Sequence, residues 1–194
     1  MVKVIAICGS PRKGGNTEQL LNICLERIRE SGGQTELITL CNRKIHGCIA
    51  CMKCRENKDG KCYGHDDDLN EIASKVFAAD ALIVGSPVYF STPTPEILAV
   101  LHRIGYVNRG TGGLLRNKVG ASIAVARHAG QNFTIAAMNY FFLINEMIQP
   151  GSSYWNVGFG KDKGDIMNDK EAIATVRTTA DNIMELLGMM NKSL

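Results

Sequence analysis

Val2-Lys3-Val4-Ile5-Ala6-Ile7-Cys8-Gly9-Ser10-Pro11-Arg12-Lys13-Gly14-Gly15-Asn16-Thr17 opens the chain with a strand, a glycine-rich turn and a helix start. The apolar run over 2–8 stops at Gly9, as a strand buried on both faces of a parallel sheet does. Asn16 and Thr17 can cap a helix with Leu20, Leu21, Cys24, Leu25 and Ile28 on one face, which Gly32 and Gly33 then stop. Between strand and helix, free backbone N–H groups and the positive end of the helix dipole point at one spot. Such a spot favours a phosphate. Ser10, Asn16 and Thr17 add neutral donors, Arg12 adds a charged fork, and Gly14 and Gly15 allow close backbone approach. No Gly-Lys-Ser/Thr follows, so the loop is not a nucleoside-triphosphate P-loop, and Gly9 opens no G-x-G-x-x-G fingerprint. A glycine turn with a helix cap and no ligand is the other reading of this loop alone.

Outward from that unit, the pattern repeats. Strands are expected over 34–40, 81–85, 119–126 and, more weakly, 154–159. Helices are expected from Asp67 or Asp68 onward, with Leu69, Ile72, Ala73, Val76 and Phe77 inward, and over 95–104, 131–148 and 169–187. Strands alternating with helices imply right-handed βαβ units and a parallel sheet. Five such units match an α/β, doubly wound five-stranded parallel sheet of order 2-1-3-4-5, with its ligand crevice between strands 1 and 3. No linker or repeat divides residues 1–194, so one domain is expected, with a cysteine-rich insertion after strand 2 at about 41–66. Periodicity vanishes there, and loops of that length are usually functional or disordered.

The insertion carries Cys48-x2-Cys51-x2-Cys54-x7-Cys62. Three thiols within seven residues, with a fourth returning after a loop, follow the logic of ferredoxin-type runs around one polynuclear centre. Zinc is the main competitor, although its structural sites usually use two separated knuckles, whereas the middle cysteine here is shared. A loop without metal is the third possibility. Lys44, Lys53, Arg55, Lys58 and Lys61 make the segment basic, which would stabilise the negative charge of a four-thiolate [4Fe–4S] centre and raise its potential. Cys8 and Cys24 read as small buried hydrophobes.

The remaining totals mainly exclude. A net charge of +3, with 21% charged residues and no basic blocks, argues against nucleic acid. No stretch of 18 apolar residues suggests a membrane span. The short run before Gly9 does not read as a signal peptide. Seven cysteines without such a signal point to a reducing, cytoplasmic setting, where close thiols usually serve metal or redox chemistry.

Gly9-Ser10-Pro11-Arg12 with Asn16-Thr17, together with Gly85-Ser86-Pro87-Val88-Tyr89-Phe90 after the third strand, resembles the NAD(P)H-dependent FMN reductase group of flavodoxin-like proteins. The likeness extends over essentially the whole chain in element order. It implies that Pro87, Val88, Tyr89 and Phe90 touch an isoalloxazine ring, on a loop that Pro87, Pro93 and Pro95 stiffen. Packing in the core would account for Tyr89 and Phe90 equally well. It also implies ring contacts at His128 and Gly130, although His128 reads equally as an exposed loop histidine. With the cysteine run added, the chain resembles the iron–sulfur flavoprotein family of strict anaerobes. That likeness implies FMN, a [4Fe–4S] cluster on Cys48, Cys51, Cys54 and Cys62, and a homodimer or homotetramer. The function expected is an FMN-dependent oxidoreductase relaying electrons between flavin and cluster, exchanging them with a ferredoxin-like carrier or a small oxidant. Alternatives are an NAD(P)H-dependent FMN or quinone reductase without a functional cluster, and a non-enzymatic zinc-binding interaction module. No side chain is assigned to proton transfer, since cofactors carry such chemistry themselves.

Overall fold

In the computed structural model, which describes residues 1–192, continuous apolar runs become the inner strands of one parallel sheet. The strands are β1 (Lys3–Cys8), β2 (Gln34–Thr39), β3 (Ala81–Pro87), β4 (Val119–Ala126) and β5 (Val157–Phe159), in the order β2-β1-β3-β4-β5. Register runs Ile7↔Ile38, Ile7↔Val84, Val84↔Ser122 and Ala124↔Val157.

Side chains alternate across the pleat, and both faces are covered. Val4, Ala6 and Cys8 of β1 meet helices α1 (Asn16–Glu30) and α6 (Lys170–Lys192). Ile5 and Ile7 meet helices α3 (Leu69–Phe77), α4 (Pro95–Gly110) and α5 (Gln131–Ile144) on the other face. Each fully buried Leu or Ile contributes roughly 1.5–3 kcal/mol. Helix α1 packs tightly over β3 at Gly85, where a Cβ would lie 2.6 Å from Leu21 Cδ1. Among the described residues, no helix is long and apolar enough to cross a membrane.

Four local expectations are corrected. The insertion is not devoid of regular structure: it holds a short helix, α2 (Lys53–Asn57), flanked by left-handed Met52 and Lys58. Helix α5 stops at Ile144 and does not continue to 148. Asn145 there donates to the Phe141 carbonyl at 2.7 Å and accepts from Asn108 at 2.7 Å. Glu146 then turns left-handed, and Ile148 bridges back to Val119. Helix α4 runs on past Ile104 because Val107 and Asn108 continue its buried face. Strand β5 spans only three residues, because β4 offers it pairing only at Ala124, Val125 and Ala126.

Candidate functional site

Loops leaving the carboxyl ends of β1, β3, β4 and β5 enclose a cleft of about 330 Å³. Ser10, Pro11, Arg12, Asn16 and Thr17 form one wall. Pro87, Val88 and Tyr89 form the second, and Val125, Ala126 and Arg127 the third. Gly160, Lys161 and Asp162 close the rim. This is the crevice at the switch point of the strand order.

The first loop is held from within. Ser10 Oγ accepts from the Arg12 N–H at 3.2 Å, and the Glu18 carboxylate accepts from the Gly14 N–H at 2.7 Å. The helix is capped at Gly15, and not by the side chain of Asn16 or Thr17. The first N–H groups of a helix lack intrahelical acceptors, and no protein acceptor takes those of Asn16 and Thr17 among the described residues. These are backbone donors for an anion.

The Asn16 side chain does something unforeseen. Its Nδ2 donates to the Asp162 carbonyl at 2.8 Å, and its Oδ1 accepts from the Gly164 N–H at 2.9 Å. Arg12 Nη1 likewise donates to the Lys161 carbonyl at 3.2 Å. Both side chains therefore staple the loop after β5 onto the first loop. That fourth wall was missed in the sequence, where Gly160-Lys161-Asp162-Lys163-Gly164 after the last strand was the available signal.

The β3 loop is a tight hairpin. Tyr89 and Thr92 exchange both N–H···O bonds, at 2.9 and 3.0 Å, around a turn with Phe90 and Ser91 at φ of 50° and 63°. The turn throws Phe90 into solvent, fully exposed and outside the cleft. Thr94 ties this loop to the first one, its Oγ1 donating to the Gly9 carbonyl at 3.1 Å. Of the two residues expected from the β4 loop, neither lines the cleft. His128 is exposed, and Gly130 caps α5 at φ 95°, packed under Val88 and Ser91. Arg127 lines the cleft instead.

The four insertion cysteines line a second, smaller cavity together with Tyr63, Arg103 and Tyr106. All are free thiols. The insertion leaves the rim of the first loop, where the Cys41 thiol donates to the Pro11 carbonyl at 3.1 Å. Cys54 sits on α2, pressed against α4 so closely that a Cβ on Gly110 would lie 2.7 Å from the Cys54 carbonyl. Cys62 is clamped by Asn70, which accepts from its N–H at 2.8 Å and donates to its carbonyl at 2.9 Å. The Ala50 N–H points at Cys48 Sγ at 3.4 Å.

Between Cys48 and Cys62, three non-glycine residues, Ala50, Met52 and Lys58, have φ of 52°, 60° and 55°. Left-handed backbone costs roughly 1–2 kcal/mol per L-residue, and such strain gathers at functional sites. Burial pushes the Cys54 thiol up, and the neighbouring Cys62, Cys51 and Cys48 push it further. Cys54 therefore lies close enough to feel the other three thiols. Among the described residues, no three His, Cys, Asp or Glu side chains stand as the ligands of one metal ion would. The thiols surround a cavity instead of meeting at a point.

Behind Cys62 lies an ion pair absent from the sequence-based expectations. Arg103 of α4 and Asp67, whose side chains are 0% and 1% exposed, pair through two contacts at 2.5 and 3.1 Å. An arginine in the apolar stripe Ile97-Val100-Leu101-Ile104 was the signal available. By contrast Cys8 and Cys24 are buried thiols pushed up to about 12, chiefly by desolvation, and take no part in either cavity.

A doubly wound sheet of order 2-1-3-4-5 with an anion-ready cleft at its switch point defines a protein of flavodoxin-like fold. The chain belongs to the NADPH-dependent FMN reductase family, whose model matches residues 2–162, and within it to the iron–sulfur flavoproteins. It is 38% identical to an iron–sulfur flavoprotein of Methanocaldococcus jannaschii over 98% of this chain and 100% of that one. An iron–sulfur flavoprotein of Methanosarcina thermophila is 32% identical over 99% of this chain and 98% of its own. Among solved structures, a WrbA-like flavodoxin from Agrobacterium tumefaciens matches with TM-score 0.64 and 11% identity, covering 97% and 99% of the two chains. That likeness bears on the fold alone. Family membership makes the chain an FMN-dependent oxidoreductase, in place of the non-enzymatic module weighed from the cysteine spacing.

Proposed function

We propose that this oxidoreductase is an electron-transfer flavoprotein, holding FMN in the switch-point cleft and a [4Fe–4S] cluster on Cys48, Cys51, Cys54 and Cys62. The observation that carries the reading is that four free thiols line one cavity, in an insertion rooted at the rim of the flavin cleft. Four soft sulfur donors suit iron–sulfur chemistry, and the relatives named above are iron–sulfur flavoproteins.

When bound, FMN exchanges one or two electrons and the cluster exchanges one. Thr17 and the first N–H groups of α1 hold the phosphate, while Arg12 adds charge and ties down the β5 loop. Val88 and Tyr89 wall the ring, kept in register by Thr92 and Thr94. Ala50 and Asn70 orient Cys48 and Cys62.

The external partner is a ferredoxin-like carrier or a small oxidant, and the assembly is a homodimer or homotetramer. An apolar groove of about 430 Å³ between α4 and α5 supports assembly. Tyr106, Tyr140 and Ile144 line it in the open, and Arg55 of the insertion stacks on Tyr106 at 5.7 Å. Exposed apolar patches of this kind mark interaction surfaces.

Reduced ferredoxin, added anaerobically to the loaded protein, is expected to bleach the flavin and produce the EPR signal of a reduced cluster. Bleaching by NADPH alone with no such signal would favour a plain FMN reductase.

A further inference from the structure

Arg103 makes two more bonds than its ion pair requires. Its two terminal nitrogens face Asp67, and Nη1 also donates to the His46 carbonyl at 3.1 Å. Its Nε–H is then left over, and it donates to Cys62 Sγ at 3.3 Å. Taking an arginine out of water is costly unless it is paired. Asp67 meets that need from the far side of the guanidinium. The pair is therefore a fixed dipole with its positive end on the sulfur.

We infer that Arg103 is a positioning residue for the cysteine centre, fixing the Cys62 sulfur by its Nε–H and setting the centre's reduction potential by its buried charge. The inference rests on the cluster reading above and deepens it. Reduction adds one negative charge to a four-thiolate centre, and potentials of such centres follow hydrogen bonds to the sulfurs and solvent exposure. The lysines of the insertion are a weaker source of this effect. Lys44, Lys53, Lys58 and Lys61 are exposed, so water and salt screen them. Arg103 is screened by neither. A lysine in its place could not reproduce the fork, because one ammonium cannot reach both Asp67 oxygens and the sulfur in the guanidinium's planar arrangement. Arg103 stays protonated throughout, and no bond to it forms or breaks.

The test is an EPR-monitored anaerobic redox titration of the unsubstituted protein, R103K and R103Q, with dithionite supplying the electron. FMN, iron and sulfide contents are measured on the same samples. R103Q is expected to keep its flavin and to shift the cluster's one-electron equilibrium roughly tenfold toward the oxidised form, about 59 mV downward. R103K, which keeps the charge, should recover part of that shift. A potential unchanged in R103Q at full cluster occupancy overturns the inference and leaves the cluster reading intact. Should R103Q fail to fold because Asp67 is left unpaired, the double substitution R103Q/D67N, which removes both buried charges, is titrated in its place, and an unchanged potential there overturns the inference. Absence of a cluster from the unsubstituted protein overturns the underlying reading as well.

Discussion

Asp67→Asn is expected to destabilise the protein by about 3–5 kcal/mol, the cost of leaving a buried charge without its partner. Asp67 does more than neutralise Arg103. Its Oδ2 also accepts from the His46 N–H at 3.0 Å, and its Oδ1 accepts from the Leu69 N–H at 3.3 Å at the start of α3. One carboxylate thus joins α4, α3 and the root of the cysteine insertion. An amide offers a single acceptor and turns its NH2 toward groups that are themselves donors. Urea unfolding of the FMN-loaded protein measures the effect, and an unchanged midpoint would contradict it.

The same carboxylate gives a pH signature. Burial alone would raise the Asp67 pKa, but the Arg103 hydrogen bonds and the His46 and Leu69 amides outweigh it and hold the group to about 2, from an ordinary 3.8. A depressed folded-state value stabilises the fold above the unfolded value. That contribution, about 2 kcal/mol, is lost as pH falls from about 4 toward 2. The stability gap between the unsubstituted protein and D67N should therefore narrow in that window.

Cys54→Ser should have the largest effect on composition. A serine hydroxyl stays protonated and is a poor ligand for iron, where a thiolate is a good one. Cys54 is the most buried of the four, at 8% exposure, with its backbone on α2 pressed against Gly110 of α4. Neighbouring ligands cannot easily shift to replace it. Iron and sulfide per FMN are expected to fall at least about tenfold, with the flavin retained. Cys41→Ser is the control, since that thiol bonds Pro11 and lies outside the cavity. Equal iron in C54S and the unsubstituted protein would remove Cys54 from the ligand set.

The sheet was legible because β1, β3 and β4 are buried on both faces, which forces unbroken apolar runs bounded by turn residues. The cysteines were legible because spacing itself limits which sulfurs can share a centre. Helix α2 was not, since five residues carry no periodicity and are held by tertiary contact with α4. Phe90 and Gly130 were placed on the right loops, but a two-residue left-handed turn decides where Phe90 points, and local sequence does not announce it. Asn16 carried the right residue type for a phosphate loop. Its amide faces a segment about 146 residues away, which no local pattern reveals. Arg103 stood in plain view as a charge on an apolar helix face, while its partner belonged to a stretch read only as a helix start.

The most direct test of the account is quantitative: iron, inorganic sulfide and FMN per chain in anaerobically purified protein, with EPR after dithionite. About four iron and four sulfide per FMN, with the signal of one reduced cubane cluster, are predicted. Flavin with no iron, or with a zinc ion in the cysteine loop, would contradict it.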